Sequence, residues 1–276
     1  MSMPALIFTL GMIAFPLIYT VWMSFQAYSS TGQVIGWGTQ NYARMIADDQ
    51  FWNGIWITVY LYVLSLALQM VFGTLLALLL FRATRLPGIV RSLFISPFMM
   101  PPVVAGMMWL VILDPSLGVA NWLLTSLGLP PSAWLASPAV VVPTLAMIDS
   151  WQWAPYVALI VLGGLQSLPP SVYEAAEIDG APPHKVFWRI TLPLLLPTLV
   201  TAMVLRSVDL LRFFDLIYIT TQGGPANHSM TLNIYGFRTG FEFFQLGYSS
   251  ALMVTLSVLV LGAVVALNRL RAAVEW

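Results

Sequence analysis

The chain has 276 residues, of which 59% are hydrophobic and 8% charged, with zero net charge and no cysteine. A soluble protein carries roughly 25% charged residues, so too little polar material remains for a water-exposed surface and the bilayer becomes the expected solvent. Zero net charge without a basic tract argues against a nucleic-acid partner, and the missing thiols exclude disulfides and thiolate metal sites.

Six apolar stretches, at 4–26, 53–81, 92–113, 138–166, 193–219 and 247–268, approach or exceed the ~20 residues that a helix needs to cross a bilayer. The first lacks a basic leading segment and is too long for a signal peptide. The bare start Met1–Ser2–Met3 leaves room for a basic tail ahead of it. The third carries Pro97, Pro101 and Pro102 and is expected to be kinked or broken. The loop 114–137 holds a short amphipathic stretch, ANWLLTSLG, with Trp122 and Trp134 suited to the headgroup level. In the fourth span Asp149, Trp153 and Tyr156 fall at i, i+4 and i+7 on one face, and Gln152 meets Tyr156 at i,i+4.

Between spans four and five lies a charged island, with Glu174, Glu177, Asp179, Lys185 and Arg189 in the loop 167–192. Ser171 and Glu174 have the spacing of a capping box, which predicts a helix from about Val172 to Asp179 with Ser171 as N-cap. Gly180 stands where a left-handed cap is wanted. Pro182 and Pro183 then open a second short helix leading toward Pro193, so the loop reads as a helix–turn–helix across one end of the bundle. Val172, Ala175, Ala176 and Ile178 give the first helix a small apolar contour. Two turns are marginal alone, so this helix should need a partner. Catalysis by the three carboxylates would need burial or crowding to shift a pKa. The loop is open, and neither His184 nor His228 is placed to complete a triad or a metal cage. No catalytic and no metal-ligating residue is therefore assigned.

Span five reads LRSVDLLRFFD, with Arg206, Asp209, Arg212 and Asp215 alternating in sign every third residue. Neighbours in such a row can pair, and each charge costs about 2.5–3.5 kcal/mol or more at mid-membrane, so it should face a cavity or a partner. A ladder that only holds the bundle and a polar lining are both open. Arg206, Asp209 and Phe213 form the best group for a lining, with Asp215 nearer the outer end. Beyond it, the turn TQGGP (221–225) re-enters toward the last span.

Seven of the eleven Lys/Arg (Arg82, Arg85, Arg91, Lys185, Arg189, Arg269, Arg271) fall in the 2–3 loop, the 4–5 loop and the tail, against Arg44 and Arg238 in the opposite loops. The positive-inside rule puts the charged island and both termini in the cytoplasm.

The order Glu174-Ala175-Ala176, three residues, Gly180, nine residues, Ile190-Thr191-Leu192-Pro193 resembles the EAA signature of binding-protein-dependent ABC importer permeases. IDGA (178–181), PLIYTVWMSF, FDLIY, TQGGP and GYSSAL are similar to the carbohydrate-uptake class, and to its maltose and glycerol-phosphate permeases. The resemblance covers nearly the whole chain. It implies one all-α transmembrane domain over 1–276, with six spans and a cytoplasmic coupling helix. It also implies a heterodimer with a second homologous permease, two cytoplasmic ATPase subunits and a substrate-binding protein outside the membrane. The setting would be a bacterial or archaeal inner membrane. This chain has no G-x-x-x-x-G-K-[ST] phosphate loop, so it is expected to bind no cofactor, with ATP and Mg held by the partner ATPases. Glu174, Ala175, Ala176, Asp179 and Gly180 would couple to the ATPase, Glu174 both capping its helix and docking. Asp149, Gln152, Trp153, Tyr156, Arg206, Asp209 and Phe213 would line the path of a sugar, oligosaccharide or polyol, the aromatic faces covering sugar C–H surfaces. Gly223, Gly224 and Pro225 would meet the binding protein. Two readings compete: an ion-coupled secondary transporter using the span-five charges, and an intramembrane metal-dependent enzyme using the island carboxylates.

Overall fold

The computed structural model describes residues 3–28, 34–82 and 88–274. Arg85, Met1 and Ser2 lie outside them. Apolar runs become long helices because a helix alone satisfies its backbone inside a bilayer. Five helical segments are long and apolar enough to cross: α1 (Met3–Ser24), α3 (Asp49–Arg82), α7 (Val141–Ser167), the continuous segment Pro183–Leu211, and α13 (Leu246–Val274). The sixth is broken as the prolines predict. Helix α4 (Gly88–Ile95) runs into a tight turn at Ser96–Met99, and α5 (Pro102–Ile112) leaves it at 100°. Pro101 and Pro102 cannot donate to a preceding turn, so the helix restarts there with Pro102 at its first position.

One element falls outside the all-α expectation. Strands β1 (Gln26–Tyr28) and β2 (Val34–Trp37) form an antiparallel ribbon pairing Gln26 with Trp37 and Ala27 with Gly36. Helix α2 (Gln40–Ile46) follows, and Asn41 fastens it by donating to the Ser24 and Gln26 carbonyls, at 2.9 Å each. The amphipathic stretch of the next long loop forms α6 (Val119–Ser126), which leaves Trp122 exposed while the Trp134 indole donates to Asn121.

Helices α3 and α7 run side by side in one direction. Ile57 and Leu61 pack with Val141, Leu145 and Leu216 at one end, and Ala77 packs with Val161, Leu165 and Leu195 at the other. Gly73 sets their closest approach, since a Cβ there would lie 2.6 Å from the Val157 Cβ. Small residues let helices meet this closely in a membrane, where packing drives association.

The charged island folds with three departures from expectation. The capping box does not form: α8 runs Pro170–Ile178 with Pro169 as N-cap and no side-chain cap. Pro170 is pre-set for the first helical position and starts the helix early, so the Tyr173 and Glu174 N–H groups that Ser171 would cap fall inside α8, and Ser171 sits in the first turn. The apolar contour is divided, because Ala176 is buried against the bundle while Ala175 and Ile178 point outward. The second helix is not separate. Helix α9 (Pro183–Val186), a wide π turn (Phe187–Thr191) and α10 (Leu192–Leu211) are one continuous segment. Pro193 accounts for the wide turn: in a regular helix its ring would strike the Arg189 carbonyl, and instead Leu192 N–H bonds back to Phe187 O.

Span five also ends early, at Leu211 instead of 219. Arg212 N–H bonds to Asp209 O at 3.2 Å and the Arg212 side chain takes the Val208 carbonyl at 3.1 Å, closing the helix end with a cation. After Phe213 and Phe214, α11 (Asp215–Thr220) starts afresh. Helix α12 (Leu232–Phe237) and a second π turn (Arg238–Glu242) lead into α13.

Candidate functional site

The intramembrane charges of α7 and α10 meet in one buried cluster. Arg206 is 1% exposed and Asp149 1% exposed, 3.8 Å apart at the nearest N and O. The Arg206 Nη1 donates to Asp209 Oδ2 at 3.3 Å, and Arg212 stands 3.7 Å from the other Asp209 oxygen. Trp153, one helical turn from Asp149, lays its ring under the Arg206 guanidinium at 4.1 Å, a cation–π stack. A buried ion costs several kcal/mol unless paired and hydrogen-bonded. Here Arg206 Nε and Nη1 are hydrogen-bonded and Trp153 covers one face, while Nη2 faces Asp149 Oδ1 at 3.8 Å and that oxygen has no hydrogen-bond partner.

The partner that completes this arrangement is Gln69 of α3, wholly buried. Its Oε1 accepts from Arg206 Nε at 2.8 Å and its Nε2 donates to Asp149 Oδ2. The sequence offered one faint signal for it: a single amide side chain in the apolar run LSLALQMVFG.

Beside the cluster opens a cavity of about 450 Å³, lined among others by Asp149, Trp153, Arg206, Asp209 and Phe213. Arg212, Phe214, Asp215 and Asn233 extend the lining. Five of the seven residues expected along a path thus come together. Gln152 and Tyr156 do not line it. The Gln152 amide donates 2.8 Å to the Met100 carbonyl at the break of the third span, and Tyr156 packs on Phe98 and Trp153. Gln152 serves a carbonyl at the break, where Met100 is extended at ψ 137° and has left the helical pattern. Of the alternating row, Arg206, Asp209 and Arg212 are linked, while Asp215 heads α11. Among the described residues no three His, Asp or Glu side chains converge as a metal site would need.

At the α8 end, Glu174, Ala175, Asp179 and Gly180 are exposed. Gly180 has φ +62°, and the turn is closed by Gly180 N–H to Glu177 O at 3.0 Å and Ala181 N–H to Ala176 O at 2.9 Å, the paired bonds of a Schellman motif. Among the described residues Glu174 makes no side-chain hydrogen bond or ion pair, so its carboxylate is presented outward. Tyr173 donates to Thr191 Oγ1 at 3.2 Å, joining α8 to the wide turn at the base of α10.

At the opposite end, the TQGGP turn is pinned inward. Gly223 is buried against Met230, Ser229 Oγ donates to the Gly224 carbonyl at 2.5 Å, and Asn53 donates to Asn227 O at 3.1 Å. Gly224 and Pro225 are half-buried and His228 is exposed. Nearby, Asp48 accepts from the Tyr235 and Tyr248 hydroxyls, tying the α2–α3 corner to α12 and α13. Burial pushes the Asp48 carboxyl up. The two phenols, the Gln50 N–H and the Arg44 charge outweigh it and leave it below the ordinary aspartate value. No pattern of spacing in the sequence pointed to this hub.

Residues 69–274 match the family described as "Binding-protein-dependent transport system inner membrane component". The trehalose/maltose transport system permease protein MalF of Thermococcus litoralis is 33% identical over 262 residues, covering 95% of this chain and 88% of that protein. The sn-glycerol-3-phosphate transport system permease protein UgpA of Agrobacterium fabrum is 33% identical over 260 residues, covering 90% of this chain and 88% of its own. A chain in the crystal structure of a bacterial alginate ABC transporter, in complex with an alginate pentasaccharide-bound periplasmic protein, superposes with a TM-score of 0.83. It is 25% identical, with 97% of this chain and 91% of that chain covered.

Proposed function

This chain belongs to the family of binding-protein-dependent transport system inner membrane components, and from that premise we propose that its polar cavity is the path by which a sugar or polyol crosses the membrane. The chain is a multi-pass inner-membrane permease subunit of an ABC importer, a transport subunit and not an enzyme. The relatives are named for trehalose/maltose and for sn-glycerol-3-phosphate transport, which supports a hydroxylated solute. The observation that carries the reading is the cavity itself: a half-exposed carboxylate, Asp209, beside the aromatic faces of Trp153 and Phe213. Hydroxyl groups donate to a carboxylate, and an aromatic face covers sugar C–H surface.

The partners follow from the same premise. A second homologous permease completes the pore, two ATPase subunits supply ATP and Mg, and a binding protein delivers the solute. The exposed Glu174, Ala175, Asp179 and Gly180 of α8 meet an ATPase, and Ala176 roots the helix in the bundle. The surface around Gly223, Gly224 and Pro225 receives the binding protein, and the distribution of Lys and Arg puts α8 and both termini in the cytoplasm. ATP-driven closure pushes α8, and the continuous Pro183–Leu211 segment carries that motion to Arg206 and Asp209. The cavity thereby opens alternately to either side.

Uptake by the reconstituted complex tests this. Asp209→Asn and Trp153→Ala should each reduce uptake about tenfold, the scale of one hydrogen bond to a charged group. ATPase activity should persist. Unchanged apparent affinity and rate in both would remove the cavity from the path. Omitting the ATPases separates the alternatives, since an ion-coupled transporter would move solute without them.

A further inference from the structure

The relatives' names leave open whether this cavity takes an uncharged solute or an anion, and the buried arginine invites the second choice. Its surroundings argue the reverse. Nε is held by Gln69, Nη1 by Asp209, Nη2 faces Asp149, and the Trp153 ring covers one face. Arg212 is engaged with Val208 O and Asp209. The lining carries three carboxylates (Asp149, Asp209, Asp215) against two guanidinium groups (Arg206, Arg212), one negative charge in excess. An entering anion would find Arg206 enclosed by its partners, Arg212 held on one side by Val208 O and Asp209, and a lining with one negative charge in excess.

Gln69 is the residue that closes this arrangement. A primary amide can accept from a guanidinium and donate to a carboxylate at the same time. An ionised glutamate could only accept, a protonated one could do both, and an apolar side chain could do neither. Gln69 does both across three helices, bonding Arg206 on α10 and Asp149 on α7 from its own place on α3.

We propose that Gln69 is a specificity-determining positioning residue: by locking Arg206 to Asp149 it withdraws the guanidinium from solutes, so the cavity admits neutral polyhydroxylated solutes and rejects anionic ones. This rests on the cavity being the solute path. Gln69→Leu removes both bonds and leaves a guanidinium edge for an anion. Gln69→Glu, set against the buried Asp149 carboxylate, shares one proton with it and so rebuilds both the bond to Arg206 and the bond to Asp149. The leucine therefore shifts selectivity and the conservative glutamate restores it, whereas loss of a merely structural contact weakens both affinities alike and leaves their ratio unchanged.

The test is equilibrium binding of trehalose and trehalose 6-phosphate, a matched neutral and anionic pair. The membrane complex of both permeases and the ATPases is used without the binding protein, so that the cavity alone is read. Wild type should prefer trehalose by about tenfold or more, the effect of a unit charge acting over about 10 Å at an effective dielectric near 20. Gln69→Leu should shrink that preference by about tenfold, and Gln69→Glu should retain at least the wild-type preference. Both affinities come from one preparation, so partial loss of folded complex cancels in the ratio, and the wild-type ratio is a test by itself. A wild type without preference, including one that binds neither probe, overturns the proposal. So does a Gln69→Leu ratio equal to that of wild type, or a Gln69→Glu ratio that falls with the leucine variant's. If Asp209→Asn and Trp153→Ala leave both affinities at their wild-type values, the path reading has failed and the role of Gln69 falls with it.

Discussion

Replacing Gly180 isolates what the α8 turn contributes to coupling. At φ +62° any L-residue other than glycine pays a steric penalty of about 1–2 kcal/mol. A Cβ there would meet nothing within 4 Å in this chain, so the internal cost is that backbone term alone. It corresponds to a roughly 5- to 30-fold fall in the population of the closed Schellman turn, in a helix of nine residues with little stability of its own. Side-chain bulk matters only against a partner. Gly180→Asn, which tolerates the left-handed region, should couple nearly normally. Gly180→Ala should lose uptake by the backbone factor, and Gly180→Leu should lose more, because its side chain projects toward the docked ATPase. Solute moved per ATP hydrolysed, measured in proteoliposomes, is the readout. Equal losses for Ala and Leu would confine the effect to the backbone. A Gly180→Leu complex that transports at full rate would refute the mechanical role of α8.

Gly73→Val drives a branched side chain into Val157 and should cost about 1–3 kcal/mol of overpacking strain, read as a lower melting temperature of the complex and partly restored by Val157→Ala. Asp149→Ala leaves Arg206 without its buried carboxylate and should destabilise by about 3–5 kcal/mol, whereas Asp149→Leu with Arg206→Met should recover much of the stability but not uptake; a double variant no better than the single one would contradict the pairing. Asp48 has a lowered pKa, so its contribution is present above the ordinary aspartate value of 3.8 and is lost as pH falls through the lowered one. Acid unfolding should therefore steepen below about pH 4 in wild type, and Asp48→Asn should remove that component while leaving neutral-pH behaviour less stable. An unaltered acid limb in Asp48→Asn would exclude the hub.

Five long apolar helices were legible as runs of about twenty apolar residues. The break in the third apolar stretch and the left-handed Gly180 were legible because proline and glycine constrain the backbone locally, whatever surrounds them. The capping box failed for a related reason: Ser171 and Glu174 have the correct spacing, but Pro170 starts the helix earlier, so the N–H groups that Ser171 would cap already lie inside it. The end of span five was illegible because FFDLIY continues the apolar run, while the actual stop depends on Arg212 folding back onto Val208. Helical spacing brought Asp149 and Trp153 to one face and placed Arg206 and Asp209 a turn apart. It could not show that Gln152 is occupied by Met100 or that Tyr156 turns to Phe98. Gln69 escaped because its importance lies in a three-helix contact, and one uncharged residue in an apolar helix gives little sign of that.

The wide turn at Phe187–Thr191 fixes the angular phase of span five. A π turn carries about one residue more than a regular turn, and one residue is worth about 100° of rotation. Every side chain after it therefore points about 100° away from where an uninterrupted helix begun at Pro183 would aim it. The orientation of Arg206 toward Gln69 and Asp149 is thus set some fifteen residues upstream, by the demand of Pro193 for room. Removing a single residue between 187 and 191 would leave every cavity side chain present, yet turn Arg206 out of register with its partners on α3 and α7.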